Sequence, residues 1–401
     1  MITPNIRSNF PVFNKDPNLV FFDSAASALK VDKMIKAVNN CYSYEYANVH
    51  RGIYKLSSDL TKKFEDSRIK VANFVNTKSH NNIIFTKSAT EGINLVASCL
   101  ASKHFKENDE IILSYLEHHA NIVPWHLVQK TKKINIVPVN LNSFGEIDYN
   151  DLKNKINSKT KLISLTHMSN VTGALTDINK VLDLKKRFNI PLLLDGCQFV
   201  PHNKLNLKEI DPDFYVFSAH KLYGPSGLGI LYMKDKWIES FAPYQGGGSM
   251  IKDVNILNSS YASGFEKFEA GTPPIAQVIG LSASIEFLSE IGMNNLYTHE
   301  LELYSYALER LKEINKLEIY GLSKNNDAII SFNIKGYHFN DLALLLDKKN
   351  IAIRSGHHCA QPLMKYLNIT GTARMSFGIY NTKEEIDYFI DNLKSIIKIL
   401  D

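Results

Sequence analysis

The stretch Pro191-Leu-Leu-Leu-Asp-Gly-Cys-Gln198 carries a short apolar run that ends in a carboxylate, and Phe214-Tyr-Val-Phe-Ser-Ala-His-Lys221 carries a similar run. Runs of this kind are typical of strands buried on both faces of a parallel sheet. Others occur at 19–23, 83–86, 110–114, 134–139 and 161–166. Helix-length segments with a 3.6-residue period separate several of them, for example at 91–103 and 177–188. This alternation predicts a mainly parallel sheet flanked by helices.

The pattern changes at about residue 282. A long helical stretch to 314 precedes strand-like segments at 317–320, 328–334, 351–354 and 373–377, a helix at 339–349 and a strongly amphipathic last helix. We therefore predict an α/β fold with two domains. The large domain covers 20–281, and a smaller α+β domain combines 1–19 with 282–401.

The composition disfavours several classes of protein. The 401 residues include 46 Lys and Arg against 41 Asp and Glu, a net charge of +5, and the basic residues are spread along the chain. A nucleic-acid binder is therefore not expected. No apolar stretch approaches the roughly 18 residues of a membrane span, and no signal peptide is visible, so we expect a cytoplasmic protein. The four cysteines form no CxxC pair, which argues against disulfides and zinc.

Ligands of open parallel sheets bind at the carboxyl ends of the strands, where Asp195 and Lys221 lie. Such a pair could bracket a pyridine ring, since the carboxylate would keep the ring nitrogen protonated and the lysine would form a Schiff base with pyridoxal phosphate. The alternative is an aspartate that caps a helix and a lysine on the surface. These residues alone leave both interpretations open.

Small polar residues at 87–92 follow another predicted strand and begin a helix, an arrangement that suits a phosphate. Ser218 and His220 could donate to the same phosphate, whereas Thr90 could equally be a plain N-cap. The glycine-rich segment 224–229 precedes a strand and does not form a strand-to-helix turn. We therefore do not expect NAD or ATP.

The segment Glu117-His-His-Ala-Asn121 lies at the same predicted edge, where one imidazole could stack on a cofactor ring and exchange protons. No third ligand has zinc spacing, so no metal is predicted, and His119 could be purely structural. The segment Arg354-Ser-Gly-His-His-Cys359 combines a thiol with groups that favour the thiolate. Gly356 and Pro362 suggest a fixed loop around this thiol. Cys41 and Cys99 lie in helix-like segments and are predicted to be buried and inert.

Together these segments resemble the pyridoxal-phosphate cysteine desulfurases of fold type I, and specifically the group II branch of the Suf iron–sulfur assembly pathway. The matching motifs cover 89–94, 117–125, 167–173, 195–198, 218–225, 268–273 and 354–359. The resemblance implies conversion of L-cysteine to L-alanine, with a persulfide on Cys359 that passes to a Suf-type acceptor protein. It also implies a homodimer.

The resemblance further assigns roles to matching residues. Lys221 would hold the cofactor, His118 would stack on its ring and move protons, and Cys359 would be the nucleophile. Further cofactor contacts would come from Asp195, Gln198, Ala89, Thr90, Ser218, His220, Asn170 and, from the other subunit, Thr272. The substrate carboxylate would meet Arg374, Arg354, Asn170 and His50. Cys197 departs from the usual small residue, and we interpret it as a space-filler.

Three alternatives remain at this point. A selenocysteine lyase would share the same residues, and L-selenocysteine is a possible second substrate. An aminotransferase or another amino-acid lyase would share the fold but would not need a loop thiol beside two histidines. A non-catalytic scaffold would keep the fold without the chemistry, although every motif position is filled.

Overall fold

The computed structural model describes residues 5–323 and 326–400; residues 1–4 of the predicted small domain lie outside it. The strands are β1 (Val20–Phe21), β2 (Ile83–Thr86), β3 (Glu110–Ser114), β4 (Asn135–Val139), β5 (Thr160–Thr166), β6 (Leu192–Asp195), β7 (Phe214–Ser218), β8 (Gly229–Met233), β9 (Ile251–Val254), β10 (Ser259–Tyr261), β11 (Leu317–Tyr320), β12 (Ile329–Ile334), β13 (Ile351–Ala352), β14 (Arg354–Gly356) and β15 (Thr372–Ser376). The helices are α1 (Val12–Lys15), α2 (Asp32–Asn40), α3 (Lys55–Phe74), α4 (Ala89–Lys103), α5 (Val123–Lys132), α6 (Tyr149–Lys155), α7 (Ile178–Phe188), α8 (Leu207–Ile210), α9 (Asp235–Ser240), α10 (Ile275–Ile291), α11 (Met293–Leu311), α12 (Phe339–Asp347), α13 (Gln361–Tyr366) and α14 (Lys383–Leu400).

A seven-stranded sheet in the order β2-β8-β7-β6-β5-β3-β4 forms the centre of the molecule. Strands β3 to β7 run parallel, and β8 runs antiparallel to β2 and β7. Successive side chains enter opposite cores, since Leu192 and Leu194 belong to one apolar cluster and Leu193 to another. Both faces are therefore buried, which explains the uninterrupted apolar runs and confirms the predicted α/β fold.

A second, antiparallel sheet has the order β11-β12-β15-β14 and shares an apolar core with α11, α12 and α14. The strand predicted at 351–354 is divided, because β13 pairs with β1 whereas β14 pairs with β15. The strand predicted at 19–23 accordingly lies beside this part of the fold and outside the seven-stranded sheet. Asp23, which follows β1, forms an isolated parallel bridge with Ser376 at the end of β15.

The long helical stretch predicted from 282 to 314 is divided into two helices. The chain forms α10 and α11, which meet at Gly292 with a bend of 77°. Gly292 has φ +85°, a left-handed conformation that glycine adopts without strain. Among the described residues no single helix is long and apolar enough to cross a membrane. Taken together, the bent pair α10 and α11 is long and apolar enough, by length and composition only.

The amino-terminal segment contacts both halves of the fold. The Phe10 ring lies 5.8 Å from the Tyr223 ring, which follows β7, and 4.9 Å from the Tyr380 ring, which follows β15. Arg7 forms an ion pair with Glu385. The predicted boundary at 281/282 falls inside α10, so the division into two domains with these limits stays a proposal. The carboxyl ends of β5, β6 and β7 face the loop that follows β14.

Candidate active site

A cavity of about 580 Å³ lies between the carboxyl ends of the parallel strands and the loop after β14. Most of the predicted site residues line it: Ala89, Thr90, His118, Asn170, Asp195, Gln198, Ser218, His220, Lys221, Arg354, Cys359 and Arg374. Two do not. His50 lies beside α3, where its Nε2 is 3.0 Å from Glu65 Oε1, and Thr272 lines a separate cavity with Lys87 and Gln245.

The amino terminus of α4 opens into the cavity. Ser88 caps this helix, because its hydroxyl accepts from the Glu91 backbone N at 3.3 Å. The interpretation of Thr90 as the N-cap is therefore wrong, and its exposed side chain lies one residue inside the helix. The Ala89 backbone N donates to Ser218 Oγ at 2.9 Å, which joins the helix to the end of β7. The amino terminus of α4, whose dipole favours an anion, and the Ser218 hydroxyl therefore lie side by side in the cavity wall.

Asp195 and Lys221 face the same cavity from the ends of adjacent strands. Asp195 is buried at the end of β6, and its Oδ1 accepts from the Cys197 backbone N at 3.0 Å. Lys221 ends a short helical turn after β7. The preceding carbonyl, of His220, accepts from Lys30 Nζ at 2.8 Å and from the Ala28 backbone N at 3.2 Å. The lysine backbone is therefore held in place.

His118 is neutral in this environment. Burial, together with the charge of Lys221, lowers its pKa to about 4. Its Nδ1 accepts from the Ala120 backbone N at 3.1 Å, so the remaining ring proton belongs on Nε2. Buried Glu117 supports the same turn, because its Oε2 accepts from Asn121 Nδ2 at 2.7 Å. Burial raises the pKa of Glu117 to about 7.

The Cys359 loop is tied to the rest of the cavity by hydrogen bonds. The His119 backbone N donates to the Cys359 carbonyl at 2.7 Å, and His119 Nε2 accepts from the Gln361 backbone N at 3.0 Å. Asn170 Nδ2 donates to the His358 carbonyl at 2.7 Å. Cys359 itself has φ +54° and an exposed side chain. A rigid loop thus presents an accessible thiol.

Arg374 is buried and is held on two sides. Its Nη1 donates to the Asn170 carbonyl at 2.7 Å, and its Nη2 donates to Asp23 Oδ1 at 3.2 Å. Among the described residues its Nε has no hydrogen-bond partner. Burial lowers the pKa of Arg374 to about 10, so the guanidinium remains charged at neutral pH. Asp23 also contacts Arg354.

Sequence reasoning missed three contributors to this site: Asp23, Glu117 and the backbone role of His119. Long-range contacts identify Asp23 and His119, whereas Glu117 makes local contacts and its position beside His118 was a local signal. The other thiols differ from Cys359. Cys41 and Cys99 are buried, as predicted, and burial raises the pKa of Cys197 in the cavity wall.

The cavity can accommodate pyridoxal phosphate. The helix terminus at Ala89 suits the phosphate, and buried Asp195 suits a protonated ring nitrogen. The buried Oε1 of Gln198 has no partner among the described residues, while Gln198 Nε2 donates to the Ala25 carbonyl at 2.8 Å. The described residues contain no cluster of three or more His, Cys, Asp or Glu arranged for a metal.

Comparisons with known proteins identify the family of the chain. Residues 20–389 match the family model described as aminotransferase class-V. The chain is 41% identical to a cysteine desulfurase of Wigglesworthia glossinidia brevipalpis, over 98% of this chain and 97% of the relative. The cysteine desulfurase CsdA of Escherichia coli has a TM-score of 0.92, 35% identity and 98% coverage of both chains.

An apo cysteine desulfurase from Thermococcus onnurineus NA1 is similarly close. Its TM-score is 0.95 at 34% identity, and the match covers 99% of this chain and 98% of that one. The similarity therefore extends over nearly the whole length in both sequence and structure. The chain belongs to the pyridoxal-phosphate-dependent cysteine desulfurases of the class-V aminotransferase family.

Proposed function

We propose that this chain converts L-cysteine to L-alanine and leaves the sulfur as a persulfide on Cys359. One observation carries the assignment: an exposed thiol on a hydrogen-bonded loop opens into the same cavity as Lys221 and Asp195. An aminotransferase needs the lysine and the aspartate but has no use for that thiol. A thiol is required where the sulfur leaves the substrate as a persulfide on the protein.

The chain's own residues would hold pyridoxal phosphate. We assign covalent attachment to Lys221, the ring-nitrogen contact to Asp195, stacking to His118 and the phenolic contact to Gln198. Phosphate contacts are assigned to the residues at the α4 terminus and beside the lysine: Ala89, Thr90, Ser218 and His220. When bound, this cofactor withdraws electrons from the α-carbon of the substrate, and this weakens the substrate's carbon–sulfur bond.

Arg374 would bind the substrate carboxylate, with Asn170 and Arg354 beside it. A guanidinium offers two parallel N–H donors to a carboxylate, which fixes both distance and orientation. The Cys359 thiolate then attacks the substrate sulfur. An S–S bond forms, the C–S bond breaks with its electron pair left on carbon, and protonation of that carbon yields alanine. His118 and Lys221 would move the proton.

The rigid loop supports the group II assignment and a Suf-type acceptor protein. Because hydrogen bonds from His119 and Asn170 hold the loop, a persulfide on Cys359 cannot travel far, and an acceptor thiol must come to it. The sulfur would then supply iron–sulfur cluster assembly. Since the thiol must stay reduced, we place the enzyme in the cytoplasm. We also propose a homodimer in which Thr272 of one chain completes the phosphate site of the other.

Alanine release from L-cysteine, measured with wild type and Cys359→Ala, tests the function. Wild type should form alanine, and a candidate acceptor protein should accelerate it. Cys359→Ala should lose at least about 100-fold of this activity, because Cys359 is the only exposed cysteine among the described residues and burial raises the pKa of Cys197. Cys197→Ala is the matched control, with turnover close to wild type.

Two outcomes would contradict the proposal. If wild type forms no alanine from cysteine, the proposed activity is wrong. Cofactor absorbance that is present in wild type and lost in Lys221→Ala then indicates an inactive enzyme that binds cofactor. Wild type without this absorbance indicates a scaffold without cofactor. If Cys359→Ala remains active, the persulfide step is wrong. Selenocysteine in the same assay reports the selenocysteine lyase alternative, which the relatives' names do not favour.

A further inference from the structure

A buried arginine of α3 holds the segment that carries Thr272. Only 1% of the Arg68 side chain is exposed, and its guanidinium forms two hydrogen bonds with Glu269, from Nη1 to Oε1 at 2.7 Å and from Nη2 to Oε2 at 2.9 Å. Such a bidentate pair fixes both the distance and the orientation of the carboxylate. Glu269 lies three residues before Thr272, so the arginine determines where the segment with Thr272 begins.

Strand β2 and two aromatic rings hold the guanidinium in turn. Arg68 Cζ lies 4.3 Å from the centroid of the Phe85 ring and 4.2 Å from the centroid of the Phe265 ring. Nη1 also donates to the Ile83 carbonyl at 2.9 Å, and Nε donates to Glu65 Oε2 at 3.0 Å. The arginine is therefore fixed relative to the seven-stranded sheet.

Glu269 passes this position on to the residues that follow it. Its Oε1 also accepts from the Phe85 backbone N at 2.7 Å, which ties the carboxylate to the edge strand β2. Two residues later, the Gly271 backbone N donates to the Gly248 carbonyl at 2.9 Å. Thr272 comes next and has an exposed side chain. Its backbone is thus anchored while its side chain remains open to a second chain.

We propose that Arg68 is a positioning residue for the cofactor site of the partner subunit: through Glu269 it fixes Thr272 at the place where Thr272 meets the phosphate held by the other chain. The inference rests on the proposed function, in which Thr272 of one chain completes the phosphate site of the other. Arg68 itself would touch neither cofactor nor substrate. Without its guanidinium, Glu269 is left with an uncompensated charge, which moves the carboxylate and its segment towards water.

Pyridoxal phosphate and pyridoxal, which has no phosphate, test the positioning role. Both are titrated into the apoprotein and followed by fluorescence. Arg68→Met should bind pyridoxal phosphate about tenfold more weakly, the loss expected for one hydrogen bond to a charged group, and should bind pyridoxal as wild type does. Arg310→Met, which removes an arginine that bonds to Asp387, is the matched control and should leave both affinities unchanged. Equal weakening for both compounds, or no weakening, overturns the inference.

Mixed dimers test whether the effect crosses between subunits. Two affinity tags isolate dimers with one chain of each kind. Arg68→Met paired with Lys221→Ala should recover about half of wild-type alanine formation, because the chain that keeps Lys221 receives Thr272 from a chain with intact Arg68. Arg68→Met paired with Thr272→Asp should recover little, because both chains then donate a defective segment. If Arg68 acts only within its own chain, the two results are reversed.

Glu269→Gln is a second variant for the case that Arg68→Met does not fold. It keeps an acceptor for the Phe85 backbone N but loses the charge that pairs with Arg68, and it should give the same results in both experiments. If Lys221→Ala and Thr272→Asp fail to complement each other, the shared site of the proposed function is wrong, and this inference with it. If they complement each other but Arg68→Met and Glu269→Gln do not follow the expected pattern, only the role of Arg68 is wrong.

Discussion

Neutral histidines surround the candidate active site. Burial lowers the pKa of His118 to about 4 and the pKa values of His167 and His358 to about 3. Their hydrogen bonds suit the uncharged form, since His118 Nδ1 accepts from a backbone N–H and His167 Nδ1 meets Tyr215 Oη at 2.8 Å. These three imidazoles therefore add no positive charge at neutral pH.

His358 should make the protein sensitive to acid. Its imidazole titrates near 6.5 in an unfolded chain, whereas burial, followed by the charge of Arg374, lowers its pKa to about 3 in the folded one. Between these values the unfolded chain binds one more proton, so the free energy of unfolding falls by about 1.4 kcal/mol for each pH unit of acidification. Urea unfolding between pH 7 and pH 5 should show a smaller loss for His358→Gln than for wild type. Equal losses in the two proteins would contradict this assignment.

A residue of the site could be predicted from the sequence only under two conditions: the chemistry requires that residue type, and the residue lies near the end of a strand. Asp195, Lys221 and Cys359 met both conditions, and all three line one cavity. Asp23 did not, because it lies 331 positions from Arg354 and nothing local marks it as a partner. His50 was expected in the cavity from the resemblance, yet it pairs with Glu65 in this chain.

At the scale of elements, burial explains which predictions succeeded. Strands β2, β3 and β7 begin and end at the predicted residues because both of their faces are buried, so their apolar runs are continuous. The β9–β10 hairpin was missed, since most of its residues are exposed and its sequence does not alternate. The predicted helix from 282 crossed Gly292 because apolar spacing continues on both sides of the bend.

Strand β8 should be critical for cofactor binding through Gly229. A Cβ at this position would lie 2.2 Å from the Ser88 carbonyl carbon, which belongs to the cap of α4. Gly229→Ala must therefore displace either β8 or the helix terminus, at a cost of about 1–3 kcal/mol. We expect weaker binding of pyridoxal phosphate, measured by titrating the apoprotein and following fluorescence. Gly246→Ala is the control, because a Cβ there meets no atom within 4 Å. Equal affinities for the two variants would contradict the expectation.

The whole molecule has apolar side chains that its own fold does not cover. Many of them lie in two stretches, one before and at the start of α3 and one in the β9–β10 hairpin. Within these two stretches the most exposed are Tyr44, Ile53, Tyr54, Val254, Ile256 and Leu257. Apolar side chains left this open are often covered in an interface. Together with the position of Thr272 outside the Lys221 cavity, they support the proposed homodimer.

Subunit complementation can test whether a site uses two chains. Lys221→Ala should be inactive, and Thr272→Asp should be nearly so because its carboxylate would repel the cofactor phosphate. If Thr272 acts across the dimer, a mixed dimer regains one intact site, with Lys221 from one chain and Thr272 from the other. Co-refolding equal amounts should then recover roughly a quarter of wild-type alanine formation, since half of the random dimers are mixed and each has one working site. If Thr272 acts within its own chain, or if light scattering finds monomers, mixing recovers nothing and the dimeric site is wrong.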